Sequence, residues 1–351
     1  MNVKITGLGS YIPETIVPNS DFENHSFLNA DGSAFKQNNP TIIRKFVAIT
    51  GIEERRYAPE NLNTSDLAFI AAERAIKNAA IDPETLDYII VSHNYGEVKH
   101  GKGQADRIPS FASHVKQKLG IKNNGCVAYD LIFGCPGWVE GVIQANAFIK
   151  AGIATKCLVI GAETLSRMLD PHDRDSMIYA DGAGASIVEA IDEEGGIFNH
   201  ETASFTVDEA NFIFNGDTYN TKPHDKMYIK MYGRKIYEFA LTNVPLAMKK
   251  CLDESPFEIK DVKKILIHQA NEKMDEAIVK RFYDLYDIET PKNIMPMCIN
   301  KLGNSSVATV PTLYDLITSG NLKPHEINKG DVLILASVGA GMNINAIVYQ
   351  H

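Results

Sequence analysis

Two pairs of apolar runs recur at nearly equal intervals along the chain, and this repetition restricts the fold more than any other feature. Leu86-Asp87-Tyr88-Ile89-Ile90-Val91-Ser92 resembles Val262-Lys263-Lys264-Ile265-Leu266-Ile267-His268. Lys156-Cys157-Leu158-Val159-Ile160-Gly161 resembles Asp331-Val332-Leu333-Ile334-Leu335-Ala336. The interval is 69 positions from Ile89 to Leu158 and 68 from Ile265 to Leu333. Each half then reaches a Gly-Ala-Gly, at Gly182 to Gly184 and Gly339 to Gly341, followed by an apolar run. Continuous β-branched runs belong to strands buried on both faces. Between them lie helical patterns: a capped amphipathic stretch from Thr64-Ser65-Asp66, the stripe Trp138, Val142, Ala145, Ile149, and a third over Asp275 to Tyr286. Strands alternating with helices predict an α/β fold. Its doubling predicts two similar halves, residues 1–190 and 191–351, with a boundary near Ile191 to Phe198. The first strand is expected at Val3 to Gly7.

The 351 residues suit one large domain or two fused halves. A net charge of −9 argues against broad nucleic-acid binding. No apolar run approaches the roughly 20 residues that span a bilayer, so no membrane association is expected. The first ten residues lack the features of a secretory signal. The five cysteines show no paired spacing, which suggests neither a zinc framework nor a disulfide scaffold. A reducing, cytoplasmic setting is expected.

One cysteine differs from the others in its context. In Tyr129-Asp130-Leu131-Ile132-Phe133-Gly134-Cys135-Pro136-Gly137-Trp138 a strand enters a tight turn and a long apolar helix follows. Pro136 fits the first helical position, which puts Cys135 at the cap. Its sulfur then faces free N–H groups and the positive end of the dipole, a setting that favours the reactive thiolate. A free cysteine is also commonly a small buried hydrophobe. That reading is taken for Cys126, Cys157, Cys251 and Cys298, whereas the turn favours a nucleophile at Cys135. His268 stands at the C-terminal end of an apolar strand, where open α/β sheets place ligands, though a structural histidine fits as well. Asn300 to Ser306 reads as a turn. In Ser337 to Gly341 small residues allow a backbone to approach closely. Gly182-Ala183-Gly184 reads as close strand packing, because no helix follows it. His172, Asp173 and Asp175 are read as a solvated loop, not metal ligands, and His93, His100 and His114 likewise.

Together these segments resemble the type III β-ketoacyl-acyl-carrier-protein synthases over nearly the whole chain. The resemblance begins at Gly7-Leu8-Gly9-Ser10-Tyr11-Ile12-Pro13 and continues through Thr50 to Arg55 and the cysteine turn. Asp170 to Arg174, Asp181 to Ala185, His268-Gln269-Ala270-Asn271 and Gly303-Asn304-Ser305-Ser306 complete it. The resemblance implies a thiolase-like five-layered αβαβα fold, a homodimer and a triad of Cys135, His268 and Asn304. It implies an acyl-Cys135 intermediate that condenses with a malonyl group on acyl carrier protein, starting fatty-acid synthesis, with no cofactor and no metal. His268 and Asn304 would stabilise the enolate, and the N–H groups of Cys135 and Ala340 would form the oxyanion hole.

Several positions depart from the family pattern. The tryptophan and arginine that usually sandwich the adenine of coenzyme A are Lys45 and Ile49 here. Arg174, Gly233 and Asn271 are retained as substrate-side residues. The primer is therefore expected on coenzyme A or on a carrier protein. The partner-subunit residue that closes the acyl pocket, often phenylalanine, corresponds to Ile108. The segment 93–107 is longer than usual, with glycines at Gly96, Gly101 and Gly103, and reads as a lid, a dimer contact or a surface loop. Lys222, Lys226, Lys230, Arg234 and Lys235, against Asp225 alone, make a basic stretch that suits an acidic carrier, together with Lys273. A specialised ketosynthase of secondary metabolism, or an acyltransferase, is the alternative within the same chemistry. A non-catalytic partner subunit is disfavoured by retention of the triad.

Overall fold

Alternate residues of the apolar runs face different cores. In the computed structural model, which describes residues 2–102, 105–222 and 225–351, Ile90 faces one core while Ile89 and Val91 face another. Leu333 and Leu335 likewise join one core, and Ile334 and Ala336 a third. This is why the strands read as unbroken apolar runs: neither face meets water.

The strands of the first sheet are β1 (Asn2–Tyr11), β2 (Tyr88–Ser92), β3 (Val127–Leu131), β4 (Lys156–Thr164) and β5 (Asp181–Ile191), in the order β1-β5-β4-β2-β3. β2 is parallel to β3 and β4, whereas β5 runs antiparallel to β1 and β4. The second sheet holds β6 (Gly196–Ser204), β7 (Val262–Ile267), β8 (Val332–Gly339) and β9 (Asn343–Gln350), in the order β6-β9-β8-β7. It repeats the first pattern, with β7 parallel to β8 and β9 antiparallel to β6 and β8. Where β3 would have its counterpart, the Ile265 N–H donates to the Ile294 carbonyl at 2.9 Å.

Three helical layers alternate with these sheets. Helices α1 (Thr64–Ala79) and α2 (Phe111–Leu119) cover the outer face of the first sheet. Helices α3 (Gly137–Lys150) and α6 (Thr309–Thr318) lie between the sheets, where Trp138, Val142, Leu313 and Tyr314 meet residues of both. Helices α4 (Gly233–Asp253) and α5 (Glu272–Asp284) cover the outer face of the second sheet. The result is the expected αβαβα stack. The α1 box is closed by Asn63, whose N–H donates to Asp66 Oδ2 at 2.7 Å, so the cap lies one residue before Thr64. The expected third helix begins earlier than Asp275, at Glu272, where the Asn271 side chain caps it.

The described part of segment 93–107 is tied down near its start. Glu97 is buried and accepts from the Ser65 N–H and hydroxyl, each at 2.9 Å, which ties the segment to the start of α1. Gly103 lies outside the described residues. Ile108, at the end of this excursion, is 92% exposed. No helix among the described residues is long and apolar enough to cross a membrane.

Asp173, Lys230, His93 and His172 are placed differently from the sequence reading. Asp173 is not in a solvated loop: with Asp170 it is buried against Lys230, whose Nζ lies 3.0 Å and 2.6 Å from the two carboxylates. The Tyr219 ring covers that ammonium at 3.4 Å. Lys230 therefore neutralises an interior site and contributes nothing to a basic surface. His93 is also buried, with Nε2 at 3.3 Å from Asp130 Oδ2. His172 bonds the Ser26 carbonyl and the Asn220 side chain. Lys230→Ala is expected to lower unfolding stability by about 3–5 kcal/mol, because it strands two buried carboxylates; urea titration measures this.

Candidate active site

Cys135 is placed by the meeting of two turns. One links β3 to α3; the other links β8 to β9. Gly134 adopts φ +66°, and a Cβ there would come within 2.7 Å of the Ala340 nitrogen. A Cβ at Gly339 would lie 2.5 Å from the Cys135 nitrogen and 2.8 Å from Pro136 Cδ. Only glycine permits this contact. It brings the N–H groups of Cys135 and Ala340 to one spot from opposite halves of the chain. Pro136, with φ −68° and ψ −5°, is itself the cap of α3, so Cys135 stands one residue farther out than the sequence reading placed it.

The sequence reading also favoured a thiolate, and the fold reverses this for the resting enzyme. Burial pushes the Cys135 thiol up to about 11, and Glu163 acts in the same direction. The Ser306 hydroxyl, which donates to Sγ at 3.2 Å, and the residue's own N–H oppose the shift without overcoming it. No cationic side chain is among the causes, and desolvation is the largest of them.

His268 follows the last residue of β7. Its N–H donates to the Ala336 carbonyl at 2.8 Å, which continues the pairing with β8 and fixes the backbone. The side chain is buried, and burial pulls the imidazole down to about 3, so it is neutral. Nδ1 lies 2.6 Å from Thr309 Oγ1, and that hydroxyl lies 2.9 Å from the Ser306 carbonyl. When the Thr309 proton points at Ser306, Nδ1 carries hydrogen and Nε2 is an acceptor. When it points at Nδ1, Nε2 becomes a donor.

Asn304 is held by an added backbone pairing. Its N–H donates to the Ile178 carbonyl at 2.9 Å and its carbonyl accepts from Ala180 at 2.8 Å. Its Oδ1 accepts from the Ser306 N–H at 2.7 Å, which leaves the Nδ2 hydrogens as the free end of the amide.

Cys135, His268 and Asn304 line one cavity of about 480 Å³. Lys45, Ile49, Arg174, Gly233 and Asn271 line it too, so the retained and the altered substrate-side positions share one space. Asn271 additionally caps α5 through Oδ1. Ile108 is not on this wall within one chain. Arg234 and Lys235 remain at the surface, where Arg234 is paired with Glu238 and Lys235 lies over the Phe212 and Tyr232 rings. Of the other cysteines, Cys126, Cys157 and Cys251 are buried as expected, while Cys298 is partly exposed and contacts Gln269 Oε1. No cluster of metal-ligating side chains occurs among the described residues.

Sequence reasoning passed over four polar residues here. Ser306 was quoted only as part of a turn, and Thr309 not at all. Asn94 and Glu163 sit in or beside apolar strands. A carboxylate inside the run Leu158 to Ala162-Glu163 is a legible anomaly, since buried acids are rare without a partner. Burial raises Glu163 to about 8.

Comparison with known proteins agrees with this geometry. Residues 129–204 match the family model described as 3-oxoacyl-[acyl-carrier-protein] synthase III, and residues 252–351 match its C-terminal model. The chain is 32% identical to a β-ketoacyl-[acyl-carrier-protein] synthase III of Staphylococcus haemolyticus, over 100% of this chain and 99% of the other. It is 32% identical to one from Neisseria meningitidis, covering 99% of each. The solved structure of the 3-oxoacyl-[acyl-carrier-protein] synthase III of Aquifex aeolicus superposes with a TM-score of 0.81 at 27% identity, covering 99% of this chain and 100% of that one. With a thiolase-like fold and a match along its whole length, the chain belongs to the β-ketoacyl-acyl-carrier-protein synthase III family of condensing enzymes.

Proposed function

We propose that Cys135 carries the acyl group in a decarboxylative Claisen condensation between an acyl thioester primer and malonyl-acyl-carrier protein, the step that initiates fatty-acid synthesis. The sulfur attacks the primer carbonyl, the bond to the carrier thiol breaks, and the Cys135 proton leaves on that thiol. The malonyl thioester then loses carbon dioxide. The electron pair of the broken carbon–carbon bond becomes an enolate, whose oxygen accepts hydrogen bonds from His268 Nε2 and Asn304 Nδ2. The enolate carbon attacks the acyl-Cys135 carbonyl. The new oxyanion is met by the N–H groups of Cys135 and Ala340. Collapse expels the Cys135 thiolate, which takes a proton.

The observation that carries this reading is that one cavity brings together the Cys135 thiol, an imidazole kept neutral by burial at His268 and the free amide end of Asn304. A neutral imidazole donates to an enolate without giving up its proton, and an amide cannot ionise. Preorganised donors in a water-poor site suit a developing negative charge.

The primer arrives on coenzyme A or on a carrier protein, past Lys45, Ile49 and Arg174. Acyl carrier protein docks beside Arg234 and Lys235. Lys230, being buried, is withdrawn from that surface. Ile108 reaches into the acyl pocket of a second copy in a homodimer; its exposure in the single chain supports this. The residues 1–190 supply the nucleophile and 191–351 the two enolate donors. Lys45 and Ile49 at the wall of the cavity favour, as a second reading, a ketosynthase of secondary metabolism that takes a less usual primer.

Intact-protein and peptide mass spectrometry after exposure to a panel of acyl-coenzyme A thioesters is expected to show one acyl group on Cys135, absent from Cys135→Ser. Addition of malonyl-acyl-carrier protein should discharge it with release of carbon dioxide. Discharge to an alcohol or amine without carbon dioxide would establish an acyltransferase instead. His268→Ala and Asn304→Ala should each keep acylation but lose malonyl decarboxylation by about 10²–10³-fold. With the thiol near 11, the rate of Cys135 alkylation by iodoacetamide should still be rising at about pH 9, and decarboxylation should show no loss assignable to His268 above about pH 4. A plateau of alkylation below neutrality would contradict the first part. Charge reversal in Arg234→Glu/Lys235→Glu should raise KM for malonyl-acyl-carrier protein about tenfold or more; an unaltered KM removes these residues from the docking surface.

A further inference from the structure

Behind the Cys135 sulfur runs a line of hydrogen bonds that the condensation chemistry above does not use. β2 and β4 pair with Ser92 opposite Gly161, and this register carries Asn94 alongside Glu163 two residues farther on. Glu163 is 1% exposed, and its Oε1 accepts from both the N–H and the side-chain amide of Asn94, at 2.6 and 2.5 Å. The same Asn94 Nδ2 donates to Ser306 Oγ at 2.9 Å. Ser306 Oγ in turn lies 3.2 Å from Cys135 Sγ.

Proton counting fixes the direction of this line. Glu163 Oε1 already accepts from the Asn94 backbone N–H, and the structure turns the nitrogen end of the Asn94 amide toward it and toward Ser306. That nitrogen has two hydrogens, and both are committed, one to Glu163 and one to Ser306. The Ser306 oxygen is therefore an acceptor on the Asn94 side. Its single proton is left for the sulfur, its other side-chain partner among the described residues. A serine hydroxyl normally rotates freely among partners; this one is held with its hydrogen on Cys135.

The backbone supports the same conclusion. Ser306 adopts φ +53°, a left-handed conformation that a non-glycine residue enters at a cost. Its N–H is spent on Asn304 Oδ1. The chain thus accepts strain at a residue that links the enolate donor Asn304, through its N–H, to the nucleophile, through its hydroxyl.

We propose that Glu163 and Asn94 are positioning residues that lock the Ser306 hydroxyl as a donor to the Cys135 sulfur, so that Ser306 stabilises the thiolate during acylation and again when condensation expels it. The inference rests on Cys135 being the acyl acceptor. It adds a donor to a site where burial otherwise disfavours charged sulfur, and it needs no cation. The interior holds the line in a dry environment, where a hydrogen bond to a charged atom is stronger than one in water. The neighbouring carboxyl weighs on the sulfur only once it ionises, which burial defers to about pH 8, and from there the Ser306 hydroxyl works against its charge.

The test is the second-order rate of iodoacetamide alkylation of Cys135 in the full-length enzyme, followed by peptide mass spectrometry between about pH 7 and 10. Removing a hydrogen bond to a charged group lowers the thiolate fraction about tenfold, and the more basic sulfur recovers about threefold of this in nucleophilicity. Ser306→Gly and Asn94→Ala are each expected to slow alkylation about threefold. The double variant should be no slower than either single one, because both break the same line. Ser306→Gly is the decisive variant, since glycine suits φ +53°, which offsets part of the cost of the lost Asn94 contact. Urea titration of the same variant, with its fold intact at the assay conditions, separates a slower thiol from a loosened structure. Unchanged alkylation in Ser306→Gly, or effects that multiply in the double variant, would overturn the proposal. Acylation by coenzyme A thioesters, measured alongside in the parent enzyme, reports separately on whether Cys135 is an acyl acceptor at all.

Discussion

The turn that carries Cys135 packs directly on the turn at Gly339 and Ala340, with no side chain between the two backbones. Everything else at the site depends on that contact. Each turn comes from a different sheet, and the two sheets share the helical layer of α3 and α6. The buried Trp138, Val142, Leu313 and Tyr314 set the distance between the sheets, and the turns inherit it. A side chain at Gly339 would meet the Cys135 nitrogen at 2.5 Å and force the halves apart. In a close-packed interior such a displacement cannot be absorbed locally. Two N–H groups from distant parts of the chain therefore converge because glycine allows it and the central layer enforces it.

Burial has a second consequence, which is electrostatic. The same desolvation acts on three groups around the cavity and moves each toward its neutral form: Cys135 up, Glu163 up and His268 down. Desolvation always disfavours the charged species, so acids rise and bases fall. The surroundings of the sulfur thus start near neutrality and meet charge when the reaction creates it, while Lys45 and Arg174 stand elsewhere on the cavity wall. Dipoles then stabilise it: amide N–H groups, a hydroxyl and an imidazole. Deeper in the fold the opposite solution appears. Lys230 is paired with Asp170 and Asp173, with the ring of Tyr219 against it. There the charges are compensated and fixed, and they shape the loop that bears Arg174 at the cavity wall.

Much of this arrangement is legible in the sequence for a physical reason. Buried strands demand apolar residues on both faces, so β2, β4, β7 and β8 announce themselves as runs, and their equal spacing announces the duplication. The cysteine turn is legible because a strand, a glycine, a proline and an apolar helix leave few conformations. His268 and Asn304 are another matter. A histidine at a strand end and an asparagine in a turn have ordinary structural uses, and their pairing with Cys135 followed from family resemblance, not from spacing.

Local rules failed where a property belongs to the whole fold. The thiolate expected at Cys135 was argued from the helix end, a local feature, while the thiol responds to everything that excludes water from the cavity. Lys230 was counted with a basic surface because its neighbours in sequence are basic, but two carboxylates some 60 residues earlier claim it in the interior. Asp173 and His93 were read as loop residues for the same reason. The line from Glu163 through Asn94 and Ser306 to Cys135 joins four segments that no periodicity connects. The sequence by itself determined the alternation of strands and helices and the repeated spacing of the buried runs, and it singled out Cys135 as the candidate nucleophile, since these follow from local sterics and from which residues can be buried. Tertiary structure alone decided which groups are charged, which hydroxyl faces the sulfur and which lysine is inside, because desolvation and hydrogen-bond direction are set by neighbours that the chain brings together only when it folds.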